Sequence, residues 1–249
     1  MKRTLVLLGF CLSLGLAHAQ NTAQEIYDKA MACIQANNLT EGVALFQKAA
    51  ELGHADAQAS LAICYWRAVG LPQDMEKAVY WLKKSAEGGS ADGQANLSVW
   101  YAYGNGVPQD ENLSLYWMRK AADQEQLDAM IALGNLYKNG AEGYVEQDQA
   151  KAVEWYRKAA MKGSAEGENQ LGKCYYFGDG VAQDMETGIY WLKKAAEQGH
   201  PYAQYHVGLA YSLGSGVEKN SEKGAYWMEK AAEQGVQEAV DFLNNFMLY

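Results

Sequence analysis

The stretch GNGVPQD, residues 104–110, has the makings of a phosphate cradle: two glycines around one residue, a turn, then an aspartate opening a helical pattern. Glycine-rich turns that lead into a helix hold phosphates through their backbone N–H groups. The same stretch recurs as AVGLPQD at 68–74, GDGVAQD at 178–184 and GSGVEKN at 214–220. A ligand loop has no reason to appear once per repeat, so the pattern reads as a helix-to-helix connector. Its glycines turn the chain, although Ala68 shows that the first is dispensable. Val107, Leu71, Val181 and Val217 are expected to tuck the connector onto the core, and Asp74, Asp110, Asp148, Asp184 and Asn220 to cap the helix that follows.

Other chemistry-bearing residues form no recognisable set. No serine is followed three residues later by lysine, and neither Lys-Thr-Gly nor a Gly-x-Ser-x-Gly elbow occurs, which removes the common acyl-transfer signatures. His54 and His200 share the turn between repeats, where a structural role is expected; His206 is the third histidine beyond the leader. Carboxylates are plentiful but fall on the polar faces and turns of helical patterns, and read as solvated charge. The cysteines beyond the leader, Cys33, Cys64 and Cys174, are odd in number and widely spaced, unlike a disulfide framework. Cys33 and Cys64 fall on first helices of neighbouring pairs and could meet; Cys64 and Cys174 share one register and should not. No metal-ligand spacing and no cofactor motif is present, so neither a metal nor a cofactor is expected.

Residues 1–19 join a short basic start, Lys2 and Arg3, to an apolar run and the small residues Ala17 and Ala19. This predicts a secretory signal peptide cut after Ala19 and a soluble chain in the periplasm or outside the cell, since the run is shorter than the ~20 residues a span needs. Cleavage would take two of the 21 basic residues and none of the 30 acidic ones, leaving a formal charge of −11. That charge disfavours nucleic acid and anionic membrane surfaces and would steer in a basic protein. A monomer without stable membrane insertion is expected.

What must position any site is a repeat. Lys48, Lys84, Lys120, Lys158, Lys194 and Lys230 mark successive units spaced by 36, 36, 38, 36 and 36 residues. A tyrosine follows each of the first five at a fixed offset (Tyr65, Tyr101, Tyr137, Tyr175, Tyr211). A tryptophan precedes each of the last five (Trp81, Trp117, Trp155, Trp191, Trp227). These ladders are read as stacking core. Each unit predicts two amphipathic helices, the first entered at a small residue (Ala57, Gly93, Ala129, Gly167, Ala203, Ala239). The second ends at glycine (Gly53, Gly89, Gly163, Gly199, Gly235), because a left-handed residue closes a helix cheaply only without a side chain. Glu125 takes that place in the third unit, where a distorted or less stable turn is expected, and the longer loop there is expected to expose Tyr144. A leading pair at 21–54, repeats at about 55–90, 91–126, 127–164, 165–200 and 201–236, and a closing helix at 237–249 make one all-α, right-handed α-solenoid, since single pairs cannot bury their apolar faces alone.

The segments ALGNLYKNG, LGKCYYFGDGVAQD and KAVEWYRKAAMKGSAEG resemble the Sel-one-like repeat family, relatives of tetratricopeptide repeats. The resemblance covers 51–236 strongly and 21–50 weakly. It implies a curved helical superhelix and protein–protein binding, with bacterial members acting as adaptors, regulators, host-interaction factors or immunity proteins against toxic effectors. A cysteine-rich branch is linked to penicillin binding and β-lactamase activity, but its cysteine pattern is missing here. An enzyme of that kind, or a scaffold for envelope glycan, stands as the alternative to a non-enzymatic binder of a protein or toxin. By similarity to tetratricopeptide repeats, the concave face would carry Ile63, Trp66, Arg67, Val99, Tyr103, Asn135, Lys138, Lys173, Tyr176, Phe177 and Tyr205. Aromatic and arginine anchors dominate binding energy at protein interfaces, which makes these the candidate contacts.

Overall fold

Asp74, Asp110, Asp148, Asp184 and Asn220 each accept a hydrogen bond, through a side-chain oxygen, from the backbone N–H three residues on. That local bond satisfies one of the free donors of a helix start and sets where the second helix of each repeat begins. First helices start in the same way from His54, Ser90, Ser164 and His200, so both turn histidines are caps. The computed structural model describes residues 20–246. The expected leader, residues 1–19, and the last three residues of the expected closing helix lie outside them.

Thirteen helices form among the described residues: α1 (20–35), α2 (Leu39–Glu51), α3 (Ala55–Arg67), α4 (Met75–Glu87), α5 (Ala91–Tyr103), α6 (Glu111–Asp123), α7 (Leu127–Asn139), α8 (Gln149–Met161), α9 (Ala165–Phe177), α10 (Met185–Glu197), α11 (Pro201–Leu213), α12 (Ser221–Glu233) and α13 (Gln237–Phe246). They are antiparallel pairs stacked as an all-α solenoid, and divide into two compact units, up to Gln126 and from Leu127.

Turn chemistry follows the repeat. First helices end at left-handed Gly104, Gly178 and Gly214, and Ala68 adopts the same conformation at φ 56°. The cap residue's own N–H then donates to the carbonyl of the ladder tyrosine, as from Asp110 to Tyr101 at 2.9 Å. Gln73, Gln147 and Gln183, beside the cap, donate to the carbonyls of Trp66, Lys138 and Tyr176 and tie the connector to the first helix. Val107 is buried; Leu71, Val181 and Val217 are half-buried against the core, as expected. At Glu125 the expected distortion is absent. Its φ is 65°, and the hydrogen bonds around it match those around Gly53, so the side chain is carried in a left-handed conformation. Tyr144 is half-buried rather than exposed, because Ala141 and Val145 pair as an isolated β-bridge that folds the longer loop on itself.

In the first unit Phe46, Leu61, Leu82, Leu97 and Trp100 anchor the core. In the second, Tyr156, Leu171, Ile189, Leu192, Val207 and Met228 do so. Ladder residues Tyr65, Trp81, Tyr101, Trp117, Tyr137, Tyr175, Trp191, Tyr211 and Trp227 are half-buried against these clusters. Small residues permit close approach: a Cβ on Gly167 would stand 2.7 Å from that of Ala159. At Gly134 the space is filled by the fully buried ring of Tyr156, whose hydroxyl donates to Asn135 Oδ1 at 2.7 Å.

A polar ladder runs through each unit. Gln58, Gln94 and Gln204 are buried and donate to the carbonyls of Ala50, Ala86 and Ala196 in the preceding helix. Gln124 and Gln234 donate in turn to Gln94 and Gln204. Glu168 holds this register in the fourth repeat. It is 1% exposed, accepting from Gln198 at 2.7 Å and pairing with Lys194 at 3.0 Å. The expectation that carboxylates are solvated therefore fails at Glu168, because α10, the second helix of its own repeat, supplies the charge and donor it needs.

Candidate binding faces

The faces of the first helices are built separately in each unit. In the first unit α3 ends with Trp66 and Arg67, and the guanidinium lies 4.8 Å from the indole centroid. Trp66 meets buried Trp100 of α5 edge-on at 5.8 Å, so it is held rather than free. Ile63, also on α3, is half-buried, whereas Val99 is exposed and Tyr103 is 77% exposed. An indole fixed by a neighbouring ring and covered by a guanidinium is preorganised for contact, because little side-chain entropy remains to be lost.

The second unit has a different face. Phe177 is 54% exposed and stands edge-on to half-buried Tyr176 at 5.0 Å. His206 lies 6.4 Å from Phe177 and 5.3 Å from Tyr205, both measured between ring centroids. Asn135 is exposed and engaged by Tyr156; Lys138 and Lys173 are half-buried. A cavity of about 520 Å³ opens between α9 and α11, with Asn169 and Lys173 on one wall and His200 and His206 on the other.

Electrostatics sets this cavity apart. Glu166, on its rim, accepts from Gln170 and lies 2.7 Å from His200 Nε2, and the hydrogen bond from His200 holds its carboxyl below the usual range. Lys173 has no ion-pair partner among the described residues, and burial, then the charge of Lys138, pushes its ammonium pKa down. Burial, reinforced by Lys173 and His200, lowers the His206 imidazole to about 4. Asn169 is 2% exposed, and its Oδ1 has no hydrogen-bond partner among the described residues.

The expected contacts thus fall in separate units, Ile63, Trp66, Arg67, Val99 and Tyr103 in the first and Asn135, Lys138, Lys173, Tyr176, Phe177 and Tyr205 in the second. Sequence reasoning placed His206 in no site, although its register holds Ser60, Asn96, Ala132 and Gln170 elsewhere, so it departs from the repeat. The three cysteines are free thiols, and burial raises those of Cys64 and Cys174 to about 11, far from a reactive thiolate. Among the described residues no cluster of ligating side chains could hold a metal ion, and no helix is long and apolar enough to cross a membrane.

Six stretches, residues 26–54, 55–90, 91–125, 127–164, 165–200 and 201–236, match the family profile described as Sel1 repeat. No curated protein sequence matches the chain significantly. Among solved structures, a Sel1 repeat protein from Oxalobacter formigenes is similar at 31% identity and a TM-score of 0.78, over 86% of each chain. A protective antigen present in uropathogenic Escherichia coli strains, displaying an SLR fold, is 31% identical with a TM-score of 0.76. The match covers 88% of this chain and 48% of that one, so this chain spans about half the antigen's length. An immunity protein from Pseudomonas aeruginosa shares the fold at 19% identity and a TM-score of 0.54, over 85% of this chain and 81% of that one.

Proposed function

This chain belongs to the Sel1 repeat family, and from that premise we propose that it is an exported, non-enzymatic scaffold that binds a protein partner through the first-helix faces of its repeats. Sel1 repeats are a scaffold typical of protein–protein interaction. One observation carries the reading. Aromatic side chains stand exposed where the repeat's own core does not cover them: Tyr103 at the end of α5 in one unit, and in the other Phe177, edge-on to half-buried Tyr176. Large apolar groups kept at the surface beside fixed aromatics and an arginine have the composition of interface anchors. Export rests on residues 1–19, which read as a secretory leader. The formal charge of −11 without it favours a basic partner. Neutralisation of a toxic effector is one concrete form of this role, and an immunity protein shares the fold.

The test is capture from periplasmic extract by the purified mature chain. Tyr103→Ser with Phe177→Ser should abolish capture while barely moving the melting temperature, since both rings are exposed. Undiminished capture by the double variant would remove the face from consideration. Hydrolysis of a chromogenic β-lactam, lost on one substitution, would instead make the chain an enzyme.

A further inference from the structure

The second helices carry a column of tyrosines that repeat packing does not explain. Tyr80, Tyr116, Tyr190 and Tyr226 hold one register, and each is about half exposed. Stacking falls to the next residue instead, since Trp81, Trp117, Trp191 and Trp227 are the half-buried rings against the core. Each phenol stands edge-on to that tryptophan, at 5.0 Å and 77° for Tyr80 and at 4.9 Å and 76° for Tyr116. Packing thus fixes the indole, the indole holds the phenol, and about half of the phenol is left to solvent.

Two of the four have a second feature. Lys84 lies 5.9 Å from the Tyr80 ring centroid, and Lys120 lies 5.0 Å from that of Tyr116 and 5.6 Å from that of Trp117. Neither ammonium has an ion-pair partner among the described residues. In the second unit the equivalent lysines are engaged, Lys194 by Glu168 and Lys230 by Glu233, and α8 carries Glu154 in place of the tyrosine. The first unit alone therefore holds two matching sets, Tyr80–Trp81–Lys84 on α4 and Tyr116–Trp117–Lys120 on α6, one repeat apart on helices that both pack against α5. A held ring offers a flat apolar face, and an unpaired ammonium offers donors only, so a ligand must set C–H groups beside acceptor oxygens. Exposed Glu87 and Asp123, one turn beyond the lysines, disfavour an anionic polymer, as does the formal charge of −11 without the leader. An aperiodic protein surface would call for different residues at the two places, whereas matching sets suit a chain of identical units. A neutral glycan meets all of these conditions, because a sugar ring has an apolar C–H face and its edge carries acceptor oxygens.

We propose that the second-helix face of the first unit binds a neutral glycan strand of N-acetylated hexosamines, with Tyr80 and Tyr116 stacking on sugar rings and Lys84 and Lys120 donating to acetamide carbonyls. The acetamide is the better match to an ammonium, because an amide carbonyl is a stronger acceptor than a hydroxyl. This face is carried by α4 and α6, whereas Tyr103 ends α5, so the inference does not rest on the protein-binding reading above.

The probes are the soluble hexamer of β-linked N-acetylglucosamine and cellohexaose, which has a hydroxyl where each acetamide stands, titrated into the purified mature chain by calorimetry. The acetylated hexamer should bind saturably, and cellohexaose about ten-fold more weakly or less. Tyr80→Ser with Tyr116→Ser, and separately Lys84→Gln with Lys120→Gln, should each weaken the acetylated hexamer by about ten-fold or more. Tyr190→Ser with Tyr226→Ser should leave it unchanged. All six side chains are exposed, which guards against misfolding. No saturable binding, equal binding of cellohexaose, undiminished binding by the first-unit variants, or the same loss from the second-unit pair would overturn the proposal. Self-association of the parent that Tyr80→Ser with Tyr116→Ser abolishes would also overturn it, by making a second copy the occupant. Tyr103→Ser with Phe177→Ser should lose partner capture and keep the hexamer, so either reading can fail and leave the other standing.

Discussion

Replacing Gly134 with alanine adds one methyl group where α7 meets α8, and the structure states what it would strike. The new Cβ would lie 2.7 and 3.0 Å from Cδ1 and Cζ of Tyr156, and closer still to Cε1. Tyr156 is 0% exposed, so the ring has no free direction in which to move. Overpacking of a well-filled core costs about 1–3 kcal/mol, and this collision belongs at the upper end. Alanine in place of glycine inside a helix returns about 1 kcal/mol, leaving a net loss of about 2 kcal/mol. Tyr156→Leu alone vacates part of the ring's volume and should cost about 2 kcal/mol. The two together recreate Ala62 against Leu82, a pair that already packs in the first unit. The double variant should therefore lie within about 1 kcal/mol of the parent, a coupling of about 3 kcal/mol, as expected of side chains in direct contact. Urea unfolding of all four proteins, followed by far-ultraviolet circular dichroism, measures the cycle. A double variant that loses the sum of the two single losses would refute the argument that ring and glycine share one space.

Two further outcomes can be measured on the same protein. Ala68 holds a left-handed φ of 56° where other repeats place glycine, so Ala68→Gly should stabilise the chain by about 0.5–1 kcal/mol, and Gly178→Ala should destabilise it by about 1 kcal/mol. Equal signs in thermal melts would contradict this. His206 titrates near 4 in the folded chain, against an ordinary 6.5, with Lys173 and His200 opposing its charge and Glu238 favouring it. The unfolded chain then gains a proton as pH falls through about 6.5 while the folded chain does not, so this contribution is complete above pH 6.5 and is lost on the way to pH 4. The loss should reach about 3 kcal/mol at pH 4, and His206→Gln should flatten that part of the stability profile; an unchanged profile would show that the ring is not the group responsible.

Much of this protein is local and therefore legible in its residues. A cap acts over three residues and a left-handed turn over one. Asp110 as a helix start and Gly178 as a helix stop need no knowledge of the rest of the chain, and the 36-residue spacing of Lys48 and Lys84 puts such signals in register. The repeat also shows that single pairs must stack, because one amphipathic pair leaves an apolar face uncovered. Solvation is different, since it depends on what covers a side chain from distant parts of the sequence. Glu168 reads as one more surface carboxylate until Gln198 and Lys194 are seen closing over it. Asn169, Lys173 and His206 are ordinary polar residues on helical patterns until the stacking of α9 against α11 encloses them and strips away their water. Where helices begin, end and repeat can be read from the residues alone, because hydrogen bonds over a few residues decide that. Which polar groups are left buried and in need of a partner was decided only by the tertiary structure, because desolvation is a property of the enclosure and not of the residue.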